Sequence, residues 1–296
     1  MRGRVLVLLI PILLSPVAAA SDTMERPRWQ VGDEWDFWVT GQHQGPNGPE
    51  AFAYIGKMGI VGRETLTVEG ELVPALRFVE VSQGVPPTDS PSDWAGKQVD
   101  FRDGARFTWV RESDGFTLRR AGYHMNQDGQ PVKNTDVTYP GGCNDYQWPY
   151  FVGKSVTLAC TQNGLMHGES RQADSFSFPV KVVGHENVSV PAGTFHTFVL
   201  ENGGERQYYA AEACWRVKAE GLHGNPIHME LLGFRCGTVT RGLLSTTAAG
   251  FDLRALQVPG EGVDPPTNPT PGVPIVALLI AFVVLATVVR VAGQRK

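Results

Sequence analysis

The sequence predicts an all-β ectodomain, a duplicated antiparallel sheet arranged as a sandwich or half-barrel, or closed into a barrel, with one transmembrane helix at its C-terminal end. Three observations predict it. Stretches such as Leu66-Thr67-Val68 and Val188-Ser189-Val190 alternate apolar with small polar residues, the period of a half-buried strand. The 34 Gly and 21 Pro punctuate the chain at short intervals, and no long window between the termini carries a helical apolar stripe. Finally, the chain repeats itself. Val31-Gly32 corresponds to Val152-Gly153 at an offset of 121, and Ile60-Val61-Gly62-Arg63-Glu64 corresponds to Val182-Val183-Gly184-His185-Glu186 at an offset of 122. Two separate blocks that agree within one residue point to an internal duplication.

In chain order, residues 1–20 read as a secretion signal. Arg2 and Arg4 form a basic start, Val5–Leu14 an apolar run too short to span a bilayer, and Ala18-Ala19-Ala20 the small residues at a cleavage site. Residues 21–140 form the first β repeat. Its strands are Asp33–Thr40, a hairpin from Ile60 to Val81 turning at Glu69-Gly70-Glu71, then Arg106–Arg111 and Thr117–Tyr123, with a short helix or turn at Pro91–Gly96. Residues 141–258 form the second repeat. Its strands are Lys154–Cys160, Ser175–Val183 continuing to a hairpin that turns at Pro191-Ala192-Gly193 into Thr194–Leu200, then Gln207–Ala211, Cys214–Ala219 and Ile227–Phe234. Residues 259–272, rich in proline, form an extended stalk. Residues 273–289, VPIVALLIAFVVLATVV, are uncharged and would extend about 26 Å as a helix, near the lower limit for a membrane span. Residues 290–296 carry Arg290, Arg295 and Lys296, which hold the tail in the cytoplasm and leave the bulk of the chain outside.

The four cysteines, Cys143, Cys160, Cys214 and Cys236, all fall in the second half. An even count in an exported chain reads as two disulfides, and no C-x-x-C pair suggests zinc or redox chemistry. Cys214–Cys236 is the favoured pair, because the two are nearly equidistant from the turn at Gly221–Pro226; Cys143–Cys160 is the remainder. The formal charge is −4, and removing the five terminal cations (Arg2, Arg4, Arg290, Arg295, Lys296) leaves −9 for the ectodomain. No basic stripe is present, which argues against nucleic acid and anionic surfaces as partners.

W-x-x-G-x-x-W at Trp29…Gly32…Trp35, W-P-x-x-V-G-K-S at Trp148–Ser155 and V-x-G-x-E-x-V-x-V-P-A-G-T-F at Val182–Phe195 resemble a group of exported β-rich domains of unknown function. In that group a further strand follows, matched here by Tyr208-Tyr209-Ala210-Ala211-Glu212-Ala213-Cys214-Trp215. The group is distantly similar to the curved-sheet, lipoprotein-carrier fold, whose members hold acyl chains on a concave apolar face. The order Pro-Gly, apolar run, basic end also resembles the sorting tails of archaeal surface proteins, with Pro271-Gly272-Val273 in place of their Pro-Gly-Phe.

No nucleophile elbow, zinc-protease helix, phosphate loop or dinucleotide fingerprint is present, and no catalytic, cofactor or metal residue is assigned. His223 and His228 could reach one metal across a turn but read as a solvated loop pair; His185 and His196 read as surface or cross-strand packing. Asn126-Gln127-Asp128-Gly129 lacks the outer ligands of a calcium loop and reads as a turn. Glu64 and Glu186 occupy equivalent repeat positions, each read as supporting its own turn. Asn187-Val188-Ser189 is an N-glycosylation sequon. The seven tryptophans read mainly as core. The expected protein is a non-enzymatic binding or cell-envelope component held to a membrane by its C-terminal helix, with a protein, glycan or lipid-like partner. Its alternatives are a carrier or receptor for a lipid-like ligand and an extracellular hydrolase with an unrecognised site.

Overall fold

A computed structural model describes residues 22–260 apart from 46–47, 95–96, 146–147, 167, 223–225, 243–245 and 248–250. Twelve strands form one antiparallel ring: β1 (Glu34–Gly45), β2 (Gly48–Val68), β3 (Glu71–Val85), β4 (Gly104–Arg111), β5 (Thr117–Met125), β6 (Pro131–Cys143), β7 (Ser155–Met166), β8 (Glu169–Val190), β9 (Gly193–Asn202), β10 (Glu205–Ala210), β11 (Trp215–Glu220) and β12 (His228–Cys236). Each strand pairs with its neighbour in sequence, and β12 returns to β1 from Arg235↔Glu34 to His228↔Thr40. Closure therefore selects the barrel over the sandwich and half-barrel that the sequence also allows. The strands that would have been edges have unpaired N–H and C=O groups, and pairing β1 with β12 and β6 with β7 satisfies them. The segments read from sequence as a secretion signal, residues 1–20, and as a membrane span, residues 273–289, lie outside the described residues, as do Arg290, Arg295 and Lys296. Among the described residues no helix is long and apolar enough to cross a membrane.

The strands fall into two sets of six with matching positions. Glu34 to Ser155 and Gly48 to Glu169 are 121 residues apart, and Glu71 to Gly193 is 122. The β2–β3 ladder is interrupted between Ile60 and Gly62, and the β8–β9 ladder between Val182 and Gly184. At each bulge the preceding segment is clamped by the same two backbone bonds. Gly32 N donates to Ile60 O (2.8 Å) and Ile60 N to Asp33 O (2.9 Å); Gly153 N donates to Val182 O (2.9 Å) and Val182 N to Lys154 O (2.8 Å). Gly32 and Gly153 take φ of +103° and +89°, a conformation that favours glycine, and Gly62 and Gly184 mark the two bulges.

Two seams of the ring are short. Among the described residues, the ladder of β6 with β7 runs over Asp136–Thr138 against Asn163–Leu165, and that of β11 with β12 over Lys218–Glu220 against His228–Glu230. Each short seam carries a disulfide. Cys143, at the end of β6, is bonded to Cys160 on β7; Cys214, in the turn before β11, is bonded to Cys236 at the end of β12. The β6–β7 seam also depends on Gly164, held at φ +130°, where a Cβ would run into the Asp136 carbonyl. Gly164→Ala should therefore cost about 1–3 kcal/mol in chemical denaturation, and a change below about 0.5 kcal/mol would show that the seam adjusts freely.

The ring is not an open pipe. Apolar side chains of β1–β3 (Trp35, Phe37, Ile60, Phe78) join those of β9–β12 (Phe195, Val199, Trp215, Phe234) in one buried cluster. The Phe78 and Trp215 rings are 6.0 Å apart although β3 and β11 are four ladder steps distant around the ring. Trp29 lies between them, 5.3 Å from Phe78 and 5.4 Å from Trp215. A second cluster includes Phe107, Trp109, Leu118, Tyr123 and Val79, with Phe101, Leu253 and Val258 from connecting and C-terminal segments. Gly59 leaves the space that Leu253 occupies. Within the wall, Lys57 Nζ lies 2.9 Å from Asp36 Oδ1, the two side chains 8% and 0% exposed. Breaking such a pair strands a buried charge, so Asp36→Ala should cost about 3–5 kcal/mol by equilibrium denaturation. A loss under about 1 kcal/mol would mean that water or Glu34 replaces the partner.

Candidate functional site

Residues that face one another across a ladder project to the same side of the sheet. Met58, Glu80 and Arg106 form one such row across β2–β4, and Ile60, Phe78, Thr108, Arg120 and Val137 form the next across β2–β6. Each row begins apolar and carries ionisable side chains further along, Glu80 and Arg106 in the first and Arg120 in the second. Arg106 Nη1 lies 3.3 Å from Glu80 Oε2. Arg120 Nη2 donates to Asp145 Oδ2 at 2.6 Å, and its guanidinium lies 5.7 Å from the Tyr139 ring centroid. Thr117 Oγ1 donates to the same Asp145 oxygen at 2.7 Å.

This face is the inner one. Asp145, beyond the end of β6, acts electrostatically on Tyr209 of β10, and Arg216 of β11 acts on Tyr54 of β2. Phe78 of the second row also brings its ring within 6.0 Å of Trp215 of β11, four ladder steps away, roughly 19 Å along the sheet at about 4.8 Å each; only across the interior do these two rings approach. Burial pushes the Tyr54 phenol up to about 12, with Glu80 adding to the rise. Burial likewise pushes Tyr209 up to about 12 and raises Tyr139. Between pH 10 and 12 the folded state therefore keeps protons that an unfolded chain releases. This contribution to stability is complete below pH 10 and falls as pH rises toward 12. Denaturation midpoints should drop across that window, with absorbance at 295 nm showing phenols that ionise only near pH 12 or on unfolding; titration of every tyrosine near pH 10 in the folded protein would contradict it.

The β7–β8 wall of the same face is apolar and half-exposed. Phe176 belongs to the cluster of Val137, Tyr139, Cys143, Cys160 and Met166. Phe176 and Phe178 stack with centroids 6.3 Å apart and planes 4° from parallel. Leu158 faces Phe178 across the ladder, and Val156 faces Val180. Beyond Val180 come Val182, Phe198, Leu200 and Tyr209, covered by Met24, Trp148 and Tyr150 from the small sheet of Thr23–Met24 with Tyr150–Phe151. Trp148 lies 5.8 Å from Tyr209 edge-on, and Tyr150 lies 5.3 Å from it. Tyr209 Oη donates to Gln207 Oε1 at 3.0 Å, an oxygen that Arg216 Nη1 also approaches at 3.4 Å. The interior thus sets an aromatic and aliphatic strip beside fixed guanidinium and indole donors.

The residues singled out from sequence are dispersed. Glu64 accepts from Trp109 Nε1 at 2.6 Å and pairs with Arg77 at 3.1 Å, whereas Glu186 pairs with Arg206 at 2.7 Å, so the two carboxylates serve separate local networks. His185 and His196 stack across the β8–β9 ladder at 4.9 Å, and Phe198 packs against His185. Asn187 is exposed, opposite His196. Asn126 Oδ1 accepts from the backbone of Asp128 and Gln130, closing a turn. His223 lies outside the described residues, so its pairing with His228 has no geometry here. Cys143, Asp145 and Cys160 bring potential ligand atoms within 4.8 Å, but both sulfurs are in the disulfide and the carboxylate is held by Arg120. Sequence reading did not single out Tyr54, Glu80, Arg106, Arg120 or Gln207, which are far apart in the chain; only the register brings them together.

No protein-family model matches the chain, and no curated protein matches it. Three solved structures show some likeness in fold. A candidate lipoprotein from Parabacteroides distasonis shares 12% identity over 72% of this chain and 99% of its own, with a TM-score of 0.32. A candidate exported protein with a YmcC-like fold from Bacteroides fragilis shares 13% over 72% and 99%, with a TM-score of 0.33. A DUF1329 family protein from Desulfovibrio piger shares 10% over 71% and 87%, with a TM-score of 0.26. Likeness of this degree carries no inference about activity.

Proposed function

We propose that the chain is an extracytoplasmic binding protein that carries an amphipathic, lipid-like ligand inside its barrel, held to a membrane by residues 273–289 on the stalk of residues 259–272. The observation that carries this reading is the inner face itself. A half-exposed strip (Val156, Phe176, Phe178, Val180) adjoins fixed polar donors, a combination that suits a molecule with one apolar and one polar end. Two disulfides in a chain of this size support an oxidising compartment. The matched strand positions and bulges support descent of the two halves, 21–140 and 141–258, from one duplicated unit. Exposed Asn187 is a glycan acceptor where the host modifies this sequon.

Native mass spectrometry of the full chain, extracted from its membrane in mild detergent, tests the reading. A retained adduct of lipid mass is expected, together with binding of the apolar fluorophore N-phenyl-1-naphthylamine by the delipidated protein. Protein that retains nothing and leaves the fluorophore dark would overturn the carrier reading. In the same spectrum, a polypeptide mass beginning at Ser21 is expected; one beginning at Met1 would contradict the cleaved signal.

A further inference from the structure

Two buried donors beside Tyr209 have no acceptor among the described residues. Arg216 Nε and Trp148 Nε1 are both out of contact with solvent and make no hydrogen bond. The other end of the Arg216 guanidinium makes only the 3.4 Å approach to the Gln207 amide oxygen, and Arg216 meets no carboxylate at ion-pair distance among the described residues. This distinguishes it from Arg106, paired with Glu80, and from Arg120, paired with Asp145. Buried N–H groups are almost always satisfied, and a guanidinium in a partly enclosed site is stabilised by an anion. The nearby acids do not supply it. Asp145 already accepts from Arg120 and Thr117, and Glu205 accepts from Gln207 Nε2 at 2.5 Å.

Both donors belong to neighbours of Tyr209. Arg216 is opposite Tyr209 in the β10–β11 ladder, and the Trp148 ring packs edge-on against the Tyr209 ring. Tyr209 shares its cluster with Val180, the far end of the Phe176–Phe178 strip. We propose that Arg216 and Trp148, on either side of the Tyr209 ring, form a head-group site for a single-chain amphiphile with an anionic carboxylate or phosphate end, its apolar chain lying along Val180, Phe178 and Phe176. Arg216 donates through Nε to one oxygen, Trp148 donates to another, and the aromatic rings exclude water around them. The proposal rests on the carrier reading above and adds the charge and position of the head group.

Displacement of N-phenyl-1-naphthylamine from the delipidated full chain by dodecanoate, dodecyl phosphate and dodecanol separates the two. Dodecanoate or dodecyl phosphate should compete at least tenfold better than dodecanol, and which of them is tighter assigns the head group as carboxylate or phosphate. Arg216→Gln should weaken the anionic competitor tenfold or more and leave dodecanol unchanged. Trp148→Phe keeps the ring but removes the donor, and should give a smaller loss in the same direction. Circular dichroism and fluorophore binding establish that each variant is folded; if Arg216→Gln does not fold, the Trp148→Phe comparison decides. Equal competition by all three amphiphiles, or anion affinity unmoved in the folded variants, would overturn the head-group site while leaving the carrier reading standing. A wild-type protein that never binds the fluorophore would remove both.

Discussion

Replacing Cys143 and Cys160, or Cys214 and Cys236, by serine should lower stability by roughly 3 kcal/mol per pair, and replacing all four should lower it by about the sum. The bonds span 17 and 22 residues of sequence, long enough for substantial loop-closure entropy. Their positions add to the effect. Each bridges a seam whose ladder has three residue pairs among the described residues, Asn163–Leu165 with Asp136–Thr138 in one case and Lys218–Glu220 with His228–Glu230 in the other. Without the bond, the flanking strand ends lose their tether and the ring can open there first. For a domain of this size the loss corresponds to about 6–12 °C in melting temperature per disulfide. Thermal melts of the two double variants, with and without reductant for the wild type, measure it. Melting within 2 °C of wild type would show that the hydrogen-bonded ladders alone hold the seams closed.

Trp35→Ala should cost about 3–5 kcal/mol. Trp35 is fully buried, its ring 5.4 Å from Trp215, and its indole N–H donates to Ala213 O at 2.7 Å. It therefore joins β1 to the turn that carries Cys214, across the β11–β12 seam. Truncation leaves a large cavity in the cluster where opposite strands meet and an unpaired carbonyl in the turn. Trp35→Phe should recover most of the packing and leave a loss of about 1–2 kcal/mol for the missing bond. Leu72→Ala is the control: Leu72 is 73% exposed at a hairpin tip, and its change should stay within about 0.5 kcal/mol. Urea denaturation with a common slope for all three variants makes the comparison. A Trp35→Ala loss no larger than that of Leu72→Ala would mean that the cluster does not hold the ring together.

The legible parts of the fold were those with local signals. The hairpins around Gly70 and Pro191-Ala192 follow from period-two patterning and turn residues, and both repeat blocks coincide with a bulge. The first part of β2 was missed because Ala53–Val61 is buried on both faces over most of its length, so no alternation marks it as a strand. β6 was missed for the opposite reason: Lys133, Asn134, Thr135 and Asp136 look like loop chemistry, yet Asp136 is held there by Arg119 and Lys133. Closure itself has no local signature. Nothing near Val137 or Gly164 announces that they pair, since the contact depends on the summed twist of the preceding strands. The same holds for the inner face. Tyr54, Arg106, Arg120 and Arg216 come from four different strands, and their convergence is a property of register rather than of motif.

Backbone amide hydrogen exchange on the full chain tests closure most directly. In the closed ring neither β1 nor β12 is an edge: Phe37 faces Leu231 on one side and Gly56 on the other. Amides of residues 35–39 and 229–234 should be protected as strongly as those in the middle of β3, and those of β6 and β7 at residues 136–138 and 163–165 should also exchange slowly. Exchange near the unfolded-chain rate along β12 and the facing amides of β1 would show an open sheet and contradict the barrel.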